Sequence, residues 1–183
     1  HSLDTLVAQH IGQAAAVMAT YTRALTQRNN LLRRIREETA GRDELRYWDT
    51  VLVSEGGRIL RWRSETLAAL AAPLADAHAE IAPGEGSLTL RSVSNAAPLP
   101  GEGPEDALRR RLADTADKEI WNGATLVGPH RDDVVFDLDG RDLSGFASRG
   151  QQRTAILAWK LAQLDLLTGT DGQAPLLLLD DVF

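Results

Sequence analysis

The chain has 183 residues, 43% of them hydrophobic, which is enough for one domain or two small ones with a real core. It has no cysteine, so a disulfide scaffold and a cysteine zinc site are excluded, and no apolar run approaches the roughly 18 residues that span a bilayer. A net charge of −6 argues against a uniformly basic nucleic-acid binder, yet the charge is uneven: residues 20–65 hold ten Arg against seven acids, and residues 66–183 hold ten bases against eighteen acids.

The opening His1-Ser2-Leu3-Asp4 carries neither a Met nor a secretory signal, which points to a fragment of a longer cytoplasmic protein. From Leu3 to about Ile35 the apolar positions step by three and four through Val7, Ile11, Ala14, Met18, Tyr21, Leu25, Leu32 and Ile35. Arg28 breaks one step. The seam has the 3.5-residue period of helices packed along their length. Gly41 suits the end of that helix and Asp43 the N-cap of the next. A second seam runs through Leu45, Trp48, Leu52, Ile59, Trp62, Thr66 and Leu70, with Glu55 in the missing step. Two long helices joined by so short a turn are expected to pack antiparallel. Pro73 is expected to kink or end the second one.

Pro83-Gly84-Glu85-Gly86 is a turn, and residues 87–93 alternate as a strand. Residues 98–104 form a loop, followed by a helix over about 105–120 that carries Arg109, Arg110 and Arg111. That triplet is either a solvated face or a DNA contact. Residues 134–138 form a strand that ends in an Asp139-Gly140 hairpin signal. A helix over about 150–167 follows. The Leu run at 175–179 has the composition of a fully buried parallel strand.

The chemistry concentrates near the end. Leu176-Leu177-Leu178-Leu179-Asp180-Asp181 is a buried strand that delivers two carboxylates to its C-terminal edge, a Walker B pattern. Phosphate chemistry uses one such group for Mg²⁺ and a second to orient or deprotonate water. Ser148-Arg149-Gly150-Gln151-Gln152-Arg153 stands immediately before an amphipathic helix. Ser148 suits the N-cap and Gly150 permits close approach of a ligand, at a helix end whose free N–H groups suit a phosphate. Ser148 stands 28 positions before Leu176, an order that resembles the Ser-x-Gly-Gln signature, helix and Walker B strand of ABC-type ATPases. No Gly is followed by Lys, and the only lysines are Lys118 and Lys160, so the chain carries no P-loop.

Two further strings, Gln27-Arg28-Asn29-Asn30-Leu31-Leu32 and Gly128-Pro129-His130-Arg131-Asp132-Asp133, complete a set spread over essentially the whole chain. Together with the signature and Walker B strings, they resemble the RecF family of ABC-type ATPases. The resemblance implies a C-terminal portion without the P-loop, and an α/β fold with a large helical part. Residues 1–120 would form an antiparallel helical arm with a short strand near 87–93, and residues 121–183 the returning segment of an ABC ATPase head. It implies ATP-dependent action in recombinational repair at gaps and stalled forks, with DNA and RecO- and RecR-type proteins as partners and an ATP-dependent homodimer. Ser148, Arg149, Gly150, Gln151 and Gln152 would contact nucleotide in trans, Asp180 would hold Mg²⁺, and Asp181 would take the general-base position, where most ABC ATPases carry Glu. Without a P-loop the chain alone would not hydrolyse ATP.

Three alternatives stay open. GPHRDD is either a rigid turn with local bonds or a ligand contact, and His130 without a second nearby His is a poor metal ligand. The chain is either part of a slow ATPase or a non-catalytic arm that binds a protein or DNA; an SMC-type head fragment is a further reading. In an antiparallel hairpin Arg23 and Arg28 could share a DNA-binding stripe with Arg58 and Arg61. Otherwise these arginines pair with Glu37, Glu38, Glu55 and Glu65.

Overall fold

The computed structural model describes residues 2–171. The elements in order are α1 (Ser2–His10), α2 (Ala14–Arg36), a 3₁₀ turn (Arg42–Glu44), α3 (Leu45–Ile81), β1 (Leu88–Val93), α4 (Pro104–Asn122), a 3₁₀ turn (Pro129–Arg131), β2 (Asp133–Leu138), β3 (Arg141–Asp142), α5 (Leu143–Phe146) and α6 (Arg149–Asp171). The described residues are mostly helical, with one small sheet of order β1-β2-β3. The Leu run with Asp180 and Asp181 lies outside them.

The described residues fall into two compact units. One takes residues 2–10, 64–92 and 134–171, and the other takes 11–63 and 93–133. In the first, α1 packs against α6. Its buried side chains include Val7, Leu70, Leu74, Leu88 and Trp159, and Phe136 meets Trp159 edge to face at 5.7 Å. The sheet belongs here. Asp139 N–H donates to the Ser87 carbonyl at 3.0 Å, and the Thr89 hydroxyl donates to the Asp137 carbonyl at 3.4 Å, so β1 and β2 run antiparallel. The β2–β3 hairpin pairs Asp137 with Asp142 and Leu138 with Arg141. Asp139 and Gly140 both have positive φ, as the expected two-residue turn requires.

In the second unit α2 and the first half of α3 form the antiparallel pair. Val17, Tyr21 and Ala24 pack with Leu52 and Ile59, and Leu31, Leu32 and Ile35 pack with Leu45 near the turn. α4 closes over α2, and Leu108 and Leu112 join Val53 and Val127 in a third cluster. Gly56 explains how α2 and α4 both reach α3. A Cβ there would stand 3.0 Å from Leu108 and 3.1 Å from Tyr21, so a side chain would force these helices apart.

Two boundaries differ from the sequence expectation. The first helix is not continuous: residues 11–13 interrupt it around Gly12, and α1 and α2 join different units. Glycine is a weak helix former, and tertiary packing on each side outweighs the unbroken apolar period. Conversely, Pro73 neither ends nor delimits α3, which runs on to Ile81. Pro73 supplies no N–H to the Ala69 carbonyl, but Ala69 is exposed and water can serve it. The alanine-rich flanks favour helix on both sides.

Candidate functional site

The signature string opens α6, in the first unit. Asp142 caps α5 by accepting the Ser144 N–H at 2.9 Å, and after Ala147 the chain enters α6 at Ser148. Ser148 and Gln151 form a reciprocal capping box: Gln151 N–H donates to Ser148 Oγ at 3.2 Å, and Ser148 N–H donates to Gln151 Oε1 at 3.0 Å. The first intrahelical bond runs from Gln152 N–H to the Ser148 carbonyl at 3.0 Å, and the Gln152 side chain reaches back to the Ala147 carbonyl at 3.3 Å.

The box occupies two donors and leaves others free. The N–H groups of Arg149 and Gly150 have no acceptor among the described residues, as the geometry of a helix start dictates. Ser148, Arg149 and Gly150 are exposed. A Cβ on Gly150 would meet only Ser148 Oγ, at 3.7 Å, so nothing within the unit requires glycine there. Arg149 and Arg153 are exposed and unpaired among the described residues, which adds positive charge to the positive end of the helix dipole. This tip can receive an anion without first breaking an internal bond.

The other two strings meet in the second unit, around Thr125. Arg28 and Asn29 come from α2, and His130 and Arg131 from the turn that follows α4. The Thr125 hydroxyl accepts from Arg28 Nη1 at 2.9 Å and donates to Asn29 Oδ1 at 2.7 Å. The Thr125 N–H donates to the same Asn29 oxygen at 2.7 Å. Its carbonyl accepts from His130 Nε2 at 3.2 Å and from Arg131 at 3.3 Å. Every polar group of Thr125 is therefore used.

A carbonyl cannot donate, so His130 Nε2 carries the proton, and Nδ1 of the neutral ring accepts from the Tyr21 hydroxyl at 2.7 Å. Burial pushes the His130 pKa below its ordinary value, which keeps the ring neutral. Burial, with the Asp132 carboxylate next in weight, raises the Tyr21 pKa and keeps its hydroxyl protonated. Gly128 has φ of 127°, and a Cβ there would lie 2.6 Å from the Tyr21 oxygen, so only glycine spares this bond. Arg63 donates to the Pro129 carbonyl at 2.8 Å. Pro129, His130 and Arg131 are thus bonded internally, whereas neither carboxylate oxygen of Asp132 has a hydrogen-bond partner among the described residues. Asp132 is buried, and burial raises its pKa despite the Ser94 hydroxyl, the Arg63 charge and the Asn95 N–H nearby.

Arg28 requires a correction as a DNA candidate. It is only 2% exposed, and its guanidinium pairs with Asp49 at 2.7 Å and with fully buried Glu119 at 2.7 Å. The missing step in the apolar seam marked the cause: a residue on that seam faces the core, whatever its charge. Glu119 also accepts the Leu126 N–H at 2.8 Å, so one carboxylate ties α4 to both the arginine and the loop. Asp49, Glu119 and Thr125 carried no sequence signal, because Thr125 lies 97 positions from Arg28.

The remaining three arginines do not form one free stripe. Arg23 is exposed and unpaired among the described residues. Arg58 pairs with Glu55 at 3.2 Å, donates to Gln13 at 2.9 Å and lies 5.1 Å from the Trp62 ring centre. Arg61 pairs with Glu105 at 2.5 Å, not with Glu65. Arg46, Arg58 and Arg109 line a groove of about 710 Å³ together with Asp49 and Glu105, so its charge is mixed. Among the described residues no cluster of His, Asp and Glu could hold a metal ion, and no helix is long and apolar enough to cross a membrane.

No family model matches the chain. Individual relatives do. It is 39% identical over 191 residues to the DNA replication and repair protein RecF of Synechocystis sp., and 38% identical over 193 residues to that of Frankia alni. These alignments take in 98% and 99% of the chain but 50% and 51% of the relatives. A solved structure of the recombination mediator protein RecF with ATP, in the RecFOR pathway, superposes with a TM-score of 0.89 at 31% identity, covering 99% of this chain and 49% of that one. The chain spans about half the length of the curated relatives it matches, and over nearly all of its own length it is homologous, in sequence and in fold, to the RecF proteins.

Proposed function

We propose that the chain is the C-terminal portion of a RecF-type ATP-dependent DNA-binding protein, and that its start of α6 reads nucleotide held by another subunit. The observation that carries this is the exposed, box-capped tip at Ser148, in a chain homologous to RecF along 98% of its length. In that role the Arg149 and Gly150 N–H groups donate to a phosphate. The Ser148 hydroxyl, whose oxygen already accepts from Gln151, turns its proton outward. Gln151 and Gln152 hold the turn in shape, and Arg149 adds charge. Asp180 would hold Mg²⁺, and Asp181 would act on the attacking water; both belong to this reading through the family pattern. ATP supplies the charge that draws two subunits together, and this chain contributes donors to it.

The proposal extends to recombinational repair at single-strand gaps and stalled forks, in the cytoplasm, with RecO- and RecR-type proteins and DNA as partners. Arg23, Arg58 and Arg61 remain the arm residues offered for duplex contact; Arg28 is withdrawn. The test uses the full-length protein. Ser148→Arg should leave ATP affinity within about threefold and abolish ATP-driven dimerisation in light scattering, since the motif serves the partner's nucleotide. Loss of ATP affinity in the monomer instead would show that the motif works in cis. Dimerisation at the parental level would remove the nucleotide role.

A further inference from the structure

In the second unit α3 and α4 run antiparallel: Arg61 pairs with Glu105, a Cβ on Gly56 would touch Leu108, and Arg42 pairs with Asp117. The groove of about 710 Å³ lies between these two helices. Its floor is apolar, built from Leu45, Val53 and Leu112. Its walls carry short side chains, and Thr50, Ser54 and Ala113 there are exposed. From Arg46 at one end to Arg58 at the other, α3 rises about 18 Å, roughly three turns. Tyr47 shares the α3 face of Thr50 and Ser54, at the i, i+3, i+7 spacing. It is 66% exposed, and its ring is set edge-on to Trp48 at 4.8 Å. Four arginines and two carboxylates line the groove, and both carboxylates are consumed, Asp49 by Arg28 at 2.7 Å and Glu105 by Arg61. Arg46 is exposed and has no ion pair among the described residues. Arg109 pairs with Asp106 three positions away, both side chains 66% exposed, and so solvated a pair exchanges readily with an incoming carboxylate. Arg58, bonded to Glu55 and Gln13, closes the far end. The rim can take negative charge, and the lining offers no unpaired carboxylate to a cation.

We propose that the groove between α3 and α4 docks an acidic amphipathic helix of a partner protein. Two antiparallel helices leave a furrow that the ridge of a third can fill. A helix of about three turns matches the furrow in length and sets about four apolar side chains over Leu45, Val53 and Leu112. Carboxylates on its flanks meet Arg46 and Arg109. Tyrosine and arginine around an apolar strip are the residues that carry most of the affinity in protein interfaces. Duplex DNA would meet the cations and leave the apolar floor uncovered. The groove includes no residue of the start of α6 and requires no ATP. It shares Arg58 with the proposed duplex contact, so the two ligands are told apart by the apolar floor rather than by charge.

The test is fluorescence anisotropy of the full-length protein, without nucleotide, with three labelled synthetic peptides. The first is helical, with a leucine stripe flanked by Glu. The second carries Lys in place of every Glu. The third has the composition of the first with the stripe scrambled. The first should saturate at roughly 10–100 μM and bind at least about tenfold tighter than the other two. Ala113→Glu puts bulk and negative charge into the groove at an exposed helix position, and should weaken the first peptide by about tenfold or more. Arg46→Glu should weaken it by about 3- to 10-fold, and Tyr47→Ala by a similar factor. Arg33→Glu makes the same charge change on α2, outside the groove, and should leave binding unchanged. Circular dichroism checks that each variant folds. Absence of binding, equal binding of the scrambled or Lys peptide, or an unchanged affinity in Ala113→Glu would overturn the proposal. So would a duplex whose own affinity falls in Ala113→Glu, which would make the groove a nucleic-acid surface, or self-association that this variant abolishes, which would make the occupant a second copy. Because nucleotide is absent, each outcome is independent of whether Ser148 acts on ATP.

Discussion

The three polar strings that stand out in the sequence fall into two regions with opposite hydrogen-bond balances. The Arg28–Asn29 string and the GPHRDD turn meet inside their unit, where Thr125 has every polar group bonded. The Ser148–Gln152 string stands at the surface of its unit and keeps donors free at a helix start. Charge and polarity alone do not distinguish a structural motif from a contacting one. The accounting of hydrogen bonds does: a group whose partners are all internal holds the fold, and a group with spare donors facing water can hold a ligand.

The contrast predicts unequal costs of mutation. Arg28→Met should have the largest effect, because it leaves Glu119 charged and buried without its cation. Losing one partner of a buried pair costs about 3–5 kcal/mol. Urea denaturation should show a sharply lower midpoint, and adding Glu119→Leu should recover much of the loss. A shift within the range of a surface ion pair would mean that water reaches Glu119 and that the hub is looser than drawn.

Ser148→Ala should cost far less, about 1 kcal/mol, and only locally, through loss of the cap. Hydrogen exchange should quicken in the first turn of α6 while the unfolding midpoint barely moves. Global destabilisation would place Ser148 among the structural residues and erase the contrast.

The smallest effect is a pH slope. His130 has a pKa depressed below 6.5 in the folded state by burial, so the unfolded chain binds its proton first. Its contribution to stability is complete above the unfolded value and is lost as pH falls through the folded one. Asp132 acts in the opposite sense: its raised pKa makes its ionised form a cost that appears as pH rises through the folded value. Stability measured from pH 7 down to pH 5 should therefore fall less steeply in His130→Gln than in the parent. An equal slope would show that burial does not hold the ring neutral.

Much of the fold was legible because its signals are local. The 3.5-residue seams located the two long helices. Asp139-Gly140 specified a hairpin turn, and Ser148 suited the N-cap position that it takes. Each depends on residues within a few positions of one another, where backbone sterics and short hydrogen bonds decide. Even the inward orientation of Arg28 was written in the seam, as the one step without an apolar residue.

What the seam did not contain was the partner. Glu119, Thr125 and His130 reach α2 from about a hundred positions away, and no local pattern encodes such a pairing. The same holds for the break at Gly12 and the passage of α3 through Pro73. In both, packing within a unit outweighed a propensity of about 1–3 kcal/mol. Backbone chemistry chose the elements. Burial then chose which polar groups were consumed in holding them together and which were left facing water.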